Sequence, residues 1–204
     1  IGILIEGNYW ANTWNTAALP CDFYILKGII ESFGAHSGVG QFTFKPAADS
    51  SLIWEKEVAL VSNGVINGIA GKVSERICDH FDIKSSVYYA ELDVTSLLQS
   101  SLPQPKYRQL PRFPALERDF CFVMTDELKA SEIISEIYNV SPLVEEVTPF
   151  DLYRGEKLGE GRKSIAFSVK LRSLEKTLTD KEAEGICSAI VSTVQSKFGA
   201  QLRT

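Results

Sequence analysis

The sequence has little of what membrane, metal and disulfide-bonded proteins require. No apolar run approaches the roughly 20 residues of a membrane-spanning helix, so we expect no membrane contact. The four cysteines, Cys21, Cys78, Cys121 and Cys187, stand singly without a CxxC pair, which favours reduced thiols and a cytoplasmic location. The one close pair of candidate zinc ligands, Cys78 and His80, supplies only two of four ligands, so we predict no metal site.

Recognisable catalytic settings are also lacking. His36 and His80 are the only histidines, and neither accompanies a nucleophile elbow. The adjacent acids Glu145 and Glu146 are typical of a solvated strand rather than of acid–base chemistry. We therefore predict no catalytic residue. The apolar start has no basic flank and no initiator Met, so we expect a piece of a longer polypeptide without a signal peptide.

An overall excess of positive charge is missing, because the formal net charge is −5. This balance excludes a nucleic-acid binder that works by bulk charge. The distribution is less even, since residues 154–176 contain seven Lys or Arg and only three Glu. A local field of this kind steers a polyanion more effectively than the global sum. From charge alone, however, a solvated hairpin explains this cluster as well.

Proline is scarce except at 102–116, which contains four of the eight prolines. Such a segment forms neither a long helix nor an inner strand. We therefore predict two domains, 1–110 and 111–204. In the first, the pattern predicts a helix over 22–33, capped by Asp22 and ended by Gly34, and a hairpin over 58–73 that turns at Asn63-Gly64.

The second domain alternates strands and helices in a recognisable order. Periodicity predicts a first helix over 130–138, and 179-TDKE-182 is a capping box that starts a second helix ending at Gly199. The predicted strands cover 117–124, 144–153, 164–172 and 200–203. The order is β-α-β-β-α-β, the ferredoxin-like unit, so the fold class is α+β.

A glycine-rich stretch, 151-DLYRGEKLGEGRKSIAF-167, raises the question of phosphate binding. A phosphate-binding P-loop needs four residues between its glycines and then Lys-Ser or Lys-Thr before a helix. Here five residues separate Gly155 from Gly161, and Arg162 intervenes before Lys163. The run that follows alternates with period two and is therefore a strand. We conclude that the stretch is a hairpin connection.

That alternation predicts an open sheet face. Side chains of a strand point alternately to its two faces, so one set of apolar side chains should meet the helices. These are Ile165, Phe167, Val169 and Leu171, with Phe120, Phe122 and Met124 from the first strand and Phe150 and Leu152 from the strand before the hairpin. The open face then displays small and polar residues: Ser164, Ala166, Ser168, Lys170, Arg172, Asp119, Cys121, Val123, Asp151 and Tyr153. Such a face suits splayed single-stranded bases. A solvated sheet face is the alternative, and the residues alone leave both open.

Several stretches together resemble a known family: 2-GILIEG-7, Trp14, 22-DFYILKGIIESFG-34, 111-PRFPALERDFCFVM-124, 150-FDLYRGEKLGEGRKSIAFSVKLRS-173, 177-TLTDKE-182 and 198-FGAQLR-203. On these motifs, the second domain is similar to the ferredoxin-fold anticodon-binding domain of bacterial phenylalanyl-tRNA synthetase beta subunits. The first domain is similar to their catalytic-like module, which has a class II synthetase fold.

The resemblance implies one part of an α2β2 ligase that joins phenylalanine to tRNA(Phe). ATP and Mg²⁺ then serve the whole enzyme, with no cofactor in this chain, and the partners are the anticodon stem-loop and the alpha subunit. It also implies anticodon contacts at Cys121, Asp151, Ser164 and Arg203.

Basic residues near that face suggest contacts to phosphate, which position RNA without reading its sequence. The candidates are Arg154, Lys163, Lys170 and Arg172. Two other functions remain open from the residues: a regulatory or dimerising ferredoxin-like module, including an amino-acid sensor, and an acylphosphatase-like enzyme. The latter lacks an Arg-bearing anion loop after the first strand.

Overall fold

The computed structural model describes residues 1–47, 52–99, 110–155 and 158–203. It divides into two compact units, Ile1–Tyr107 and Arg108–Thr204. Residues 102–109 of the proline-rich segment that predicts the domain boundary lie outside the described residues. In the described part of the chain, no helix is both long enough and apolar enough to cross a membrane.

The first unit is built on a five-stranded antiparallel sheet. Its described strands are β1 (Gly2–Glu6), β2 (Asn8–Trp10), β3 (Leu19–Pro20), β4 (Thr43–Pro46), β5 (Trp54–Ser62), β6 (Val65–Val73) and β7 (Val87–Leu92). The order in the large sheet is β1-β7-β6-β5-β4, while β2 and β3 form a separate two-stranded hairpin. The predicted turn between β5 and β6 is confirmed, since Asn63 and Gly64 both have positive φ, the geometry of a tight hairpin turn.

Three helices accompany this sheet: α1 (Phe23–Ser37), α2 (Glu75–His80) and α3 (Val94–Gln99). The Asp22 carboxylate caps α1 by accepting from the Ile25 N–H at 2.8 Å, as predicted. The predicted end at Gly34 is wrong, because α1 continues to Ser37 and stops at Gly38 in the left-handed region. Gly34 instead allows a close approach, since a Cβ there would lie 2.4 Å from the Gly40 carbonyl oxygen.

The second unit has the predicted β-α-β-β-α-β order. Its elements are β8 (Leu116–Thr125), α4 (Ala130–Val140), β9 (Val144–Tyr153), β10 (Arg162–Leu171), α5 (Asp180–Phe198) and β11 (Gln201–Leu202). The strands form one antiparallel sheet in the order β11-β8-β10-β9.

The helices α4 and α5 cover one face of this sheet. The residues predicted to face them, Ile165, Phe167, Val169 and Leu171, are all at most 6 % exposed and belong to one core cluster. Strand β8 contributes Phe120, Phe122 and Met124 to the same cluster. The inward positions predicted for β8 and β10 are therefore confirmed, and no helix among the described residues of this unit covers the other sheet face.

The capping box that starts α5 is confirmed. The Thr179 hydroxyl accepts from the Glu182 N–H at 3.3 Å, and the Glu182 carboxylate accepts from the Thr179 N–H at 2.9 Å. A hydrogen bond from Lys176, together with those from Thr179, lowers the pKa of Glu182 to about 2. Gly199 ends the helix in the left-handed region, as predicted.

Strand β9 departs from simple alternation because it is an edge strand with two irregularities. Its register against β10 shifts between Ala166 and Phe167 and again between Lys170 and Leu171. The inward position predicted for Phe150 and Leu152 is therefore not a buried one: Phe150 is the extra residue at the first shift, and the two side chains are 58 % and 49 % exposed.

Candidate nucleic-acid interface

Cross-strand register brings three of the four predicted anticodon-contacting residues to one end of the open face. Cys121 pairs with Ala166, and Ala166 pairs with Asp151, so these three form one row across β8, β10 and β9. The neighbouring row contains Val123, Ser164 and Tyr153. Directly opposed residues of antiparallel strands share a face. The sheet therefore places Cys121, Asp151 and Ser164 side by side.

Arg203 reaches the same end through the chain terminus of the second unit. Its N–H donates to the Cys121 carbonyl oxygen at 2.7 Å, which extends the β11–β8 pairing by one residue. Its guanidinium carbon lies 5.5 Å from the centroid of the Tyr153 ring. We call the group Cys121, Asp151, Tyr153, Ser164 and Arg203 the Tyr153 end of the open face.

Tyr153 is the part of this end that was not assigned a role from the sequence. Its ring is 38 % exposed and lies under Arg203. It also packs against Gly155, because a Cβ at Gly155 would come within 2.3 Å of the Tyr153 hydroxyl. The period-two pattern puts Tyr153 on the open face, but the pairing with Arg203 joins positions 50 residues apart and leaves no local signal.

Ser164 is buried and contacts the half-buried Cys121. The Ser164 hydroxyl lies 3.0 Å from the Cys121 thiol, and Ser164 is only 2 % exposed. The expectation that Ser164 is displayed to visiting nucleotides therefore needs correction. Its row neighbours, Val123 and Tyr153, flank it on both sides. The exposed residues of this end are Asp151, Tyr153 and Arg203, while Cys121 is half-buried.

The glycine-rich stretch connects two strands, as predicted. Gly159 and Gly161 both adopt positive φ, which the turn into β10 requires. Arg154, at its start, donates to the Asp126 carboxylate at 3.1 Å and keeps more than half of its side chain exposed. It lies directly after Tyr153, at the rim of the open face.

The structure does not bring the other predicted phosphate contacts to the Tyr153 end. Lys163 faces the helices, is 7 % exposed, and donates from Nζ to the Asp126 carbonyl oxygen at 2.6 Å. Lys163 precedes Ser164 in β10, so its side chain points to the opposite face of the sheet. Because its ammonium is buried and already donates to a backbone oxygen, it is poorly placed to contact a phosphate. Its assignment to the open rim is thus corrected.

Lys170 and Arg172 lie at the far end of the open face. Arg172 is 18 % exposed and donates to the Glu145 carboxylate at 2.8 Å and to the Phe113 carbonyl oxygen at 2.9 Å. The Lys170 ammonium lies 3.7 Å from Glu146 and 4.0 Å from Glu145. Both cations are therefore held by carboxylates.

One further cation lies on the open face and was not predicted as a contact. Arg162 pairs with Thr125 and shares the face of Ser164. Its position follows from β10 starting two residues earlier than the predicted strand. Because strand boundaries depend on pairing partners, the sequence alone gives no signal for this extension.

Comparisons with known proteins agree with this two-part architecture. The family model described as "Phenylalanyl tRNA synthetase beta chain CLM domain" matches residues 1–94. The model described as "Ferredoxin-fold anticodon binding domain" matches residues 111–203. Together they match the whole chain except 95–110 and the last residue.

Curated relatives match over almost all of this chain. The phenylalanine–tRNA ligase beta subunit of Symbiobacterium thermophilum is 36 % identical over 100 % of the chain and 23 % of its own length. Those of Geobacillus kaustophilus and Shouchella clausii are 31 % and 34 % identical over 98 % and 100 % of the chain, each over 25 % of its own length. The chain thus spans about a quarter of the relatives it matches, and it belongs to the family of phenylalanyl-tRNA synthetase beta chains.

Proposed function

We propose that the Tyr153 end of the open face binds unpaired nucleotides of the anticodon loop of tRNA(Phe). The observation that carries this proposal is the exposed Tyr153 ring under the Arg203 guanidinium, next to Asp151 in the adjoining row. Aromatic rings and guanidinium planes stack on splayed bases, and this is how proteins commonly hold single-stranded RNA. The match to an anticodon-binding family supports the same function.

Each residue of this end has a distinct proposed role. Tyr153 and Arg203 stack on a base, and the Asp151 carboxylate accepts hydrogen bonds from a base edge. The hydrogen-bonded pair of Cys121 and Ser164 lies beneath that base. The pair contacts the base once the bound nucleotide displaces one of the side chains that flank Ser164, Val123 or Tyr153. Arg154 and Arg162 contact phosphates, which positions the loop. We do not retain Lys163, Lys170 or Arg172 as phosphate contacts, because Lys163 is buried on the helix side and the other two lie beside carboxylates at the far end of the face.

Titration of the chain with anticodon stem-loops tests this function. We expect the phenylalanine anticodon arm to bind more tightly than an arm with a scrambled loop, and we expect both affinities to fall between low and moderate salt. Equal affinities for the two arms would overturn base reading. A parallel titration with free phenylalanine tests the sensor alternative, which requires binding of the amino acid.

The chain also has a proposed place in a larger enzyme. We propose that it is part of a cytoplasmic α2β2 phenylalanine–tRNA ligase, and that its first unit is a class II synthetase-like module without chemistry of its own. Five antiparallel strands with α1 on one face are compatible with such a module. ATP and Mg²⁺ would serve the ligase reaction, and we assign none of their ligands to this chain.

The hairpin β2–β3 supports contact with another subunit. Trp14 is 96 % and Trp10 is 59 % exposed, and no residue of 7–21 belongs to a core cluster of the described residues. The same 15 residues include no Asp, Glu, Lys, Arg or His. Exposed aromatic residues without neighbouring charge are typical of the centre of a protein interface.

Hydrogen exchange of peptides from this hairpin tests the subunit contact. We expect the amides of 8–20 to exchange fast in the full beta subunit and slowly once the alpha subunit is added. Slow exchange in the beta subunit alone would show that its own chain covers the hairpin. Fast exchange in both samples would leave the hairpin without the proposed partner.

A further inference from the structure

Two rows of the open face lie beyond the Cys121–Asp151 row, away from Tyr153. The first contains Asp119, Ser168 and Thr148, and the second contains Glu117, Lys170 and Glu146. The carboxylates of Asp119, Glu117 and Glu146 all belong to exposed residues. We call these three residues the acidic end of the open face.

The cations near the acidic end do not neutralise the negative charge of all its carboxylates. Lys170 lies between Glu145 and Glu146, and Arg172 donates to Glu145. Among the described residues, Asp119 and Glu117 have no ion pair. In the part of the chain that the structure describes, Lys170 and Arg172 therefore pair with Glu145 and Glu146, while the carboxylates of Glu117 and Asp119 keep their negative charge.

The carboxylates of the acidic end are close enough to the Tyr153 end to repel the phosphates of an RNA loop bound there. Two residues along a strand span about 7 Å, so Asp119 lies about 7 Å and Glu117 about 14 Å from the Cys121–Asp151 row. The Debye length at physiological salt is about 8 Å, so Asp119 acts on any nucleotide placed one row away from the Tyr153 end. The phosphate of that nucleotide would face a carboxylate with no neutralising partner.

We propose that Glu117, Asp119 and Glu146 determine specificity by repelling RNA phosphates from their end of the sheet. This confines the loop to the Tyr153 end and fixes which nucleotides reach Asp151. The proposal rests on the proposed anticodon function and adds a register-setting element to it. A uniformly polar face would let a single strand slide along the rows, whereas a face with opposite ends allows one placement.

Neutralising variants of the whole chain test the proposal. We expect Asp119→Asn to tighten binding about 2-fold, and the triple variant with Glu117→Gln and Glu146→Gln to tighten it further, since each removed carboxylate contributes a screened repulsion of that size. The gain should be larger for the scrambled arm than for the phenylalanine arm, so discrimination should fall. The gain should also shrink as salt rises.

Glu184→Gln on α5 is the matched control, because it removes another exposed carboxylate, from the helix side of the unit. It should change neither affinity. Asp119→Asn breaks no ion pair of the described residues, so it keeps the test valid even where the triple variant is unstable. Wild-type discrimination with unchanged affinities in Asp119→Asn would overturn this proposal alone. Absence of discrimination in the wild type would overturn the proposed function itself.

Discussion

The two ends of the open sheet face use cations in opposite ways. At the Tyr153 end, Arg203 lies on an aromatic ring and is exposed, so its charge is available to a ligand. At the other end, Arg172 is mostly buried and bonded to Glu145 and to the Phe113 carbonyl oxygen. Both are arginines beside the same sheet, yet one is suited to recognition and the other to holding the fold together.

This difference shows why a local charge count is a poor guide to a binding surface. The basic excess over 154–176 suggests one continuous cationic rim. In the folded unit, Lys163 is buried against the Asp126 carbonyl, and Lys170 and Arg172 meet carboxylates from β9. Arg154 and Arg162 are the described cations of this stretch that lie near Tyr153. The field at the surface depends on partners that lie far away in sequence.

The largest effect should come from removing the ring at the Tyr153 end. We expect Tyr153→Ala to weaken binding of the phenylalanine anticodon arm by about 5- to 150-fold, the range for loss of one stacked base. Tyr153→Phe should keep most of the affinity, because the ring remains. Fluorescence anisotropy with labelled stem-loops measures both. An unchanged affinity in Tyr153→Ala would show that the Tyr153 end is no more important for RNA binding than the acidic end.

At the opposite end, Arg172→Ala should affect stability rather than binding. It removes two hydrogen bonds of a mostly buried guanidinium, so we expect a loss of about 1–2 kcal/mol in the free energy of unfolding. RNA affinity should change less than 2-fold. Urea denaturation and a stem-loop titration on the same sample separate the two readouts. A large loss of RNA affinity with unchanged stability would show that Arg172 binds RNA rather than stabilising the fold.

Ser164→Ala probes the pair of Cys121 and Ser164 at the Tyr153 end. Loss of the contact with Cys121 should reduce stability by about 1 kcal/mol, since the hydroxyl is buried. We expect discrimination between anticodon arms to fall by more than this loss of stability implies. Cys121→Ser, which keeps a polar partner for Ser164, serves as the comparison. A fall in melting temperature with intact discrimination would show that Ser164 is purely structural.

Among these four variants, the smallest change in free energy, whether of binding or of unfolding, should follow from Gly155→Ala. The added methyl group would overlap the Tyr153 ring and force it to move. We expect a reduction of about 2- to 5-fold in affinity for the anticodon arm, less than from loss of the ring. Gly185→Ala is the control, since a Cβ there meets no atom within 4 Å. Equal behaviour of the two variants would mean that the ring position is unimportant.

Sequence patterns were sufficient for the second unit where structure is locally encoded. The alternation of β10, the capping box at Thr179 and the helix stop at Gly199 each depend on residues close in the chain, and all three are confirmed. The placement of Cys121, Asp151 and Ser164 on one face followed from the same alternation combined with the strand order.

The remainder depends on contacts between distant segments. The register shifts of β9 leave Phe150 and Leu152 exposed although their pattern predicts inward positions. The burial of Ser164 requires the flanking residues of two other strands, and the Arg203–Tyr153 contact requires β11 to dock on β8. None of these features has a signature within a short window of sequence.

An NMR titration of the chain with the phenylalanine anticodon stem-loop tests most directly whether RNA binds at the Tyr153 end. We expect the largest changes in amide chemical shift to cluster at Cys121, Asp151, Tyr153 and Arg203. Signals from the acidic end and from the surfaces of α4 and α5 should stay nearly unchanged. Changes centred on either helix, or on Glu117 and Glu146, would contradict binding at the Tyr153 end.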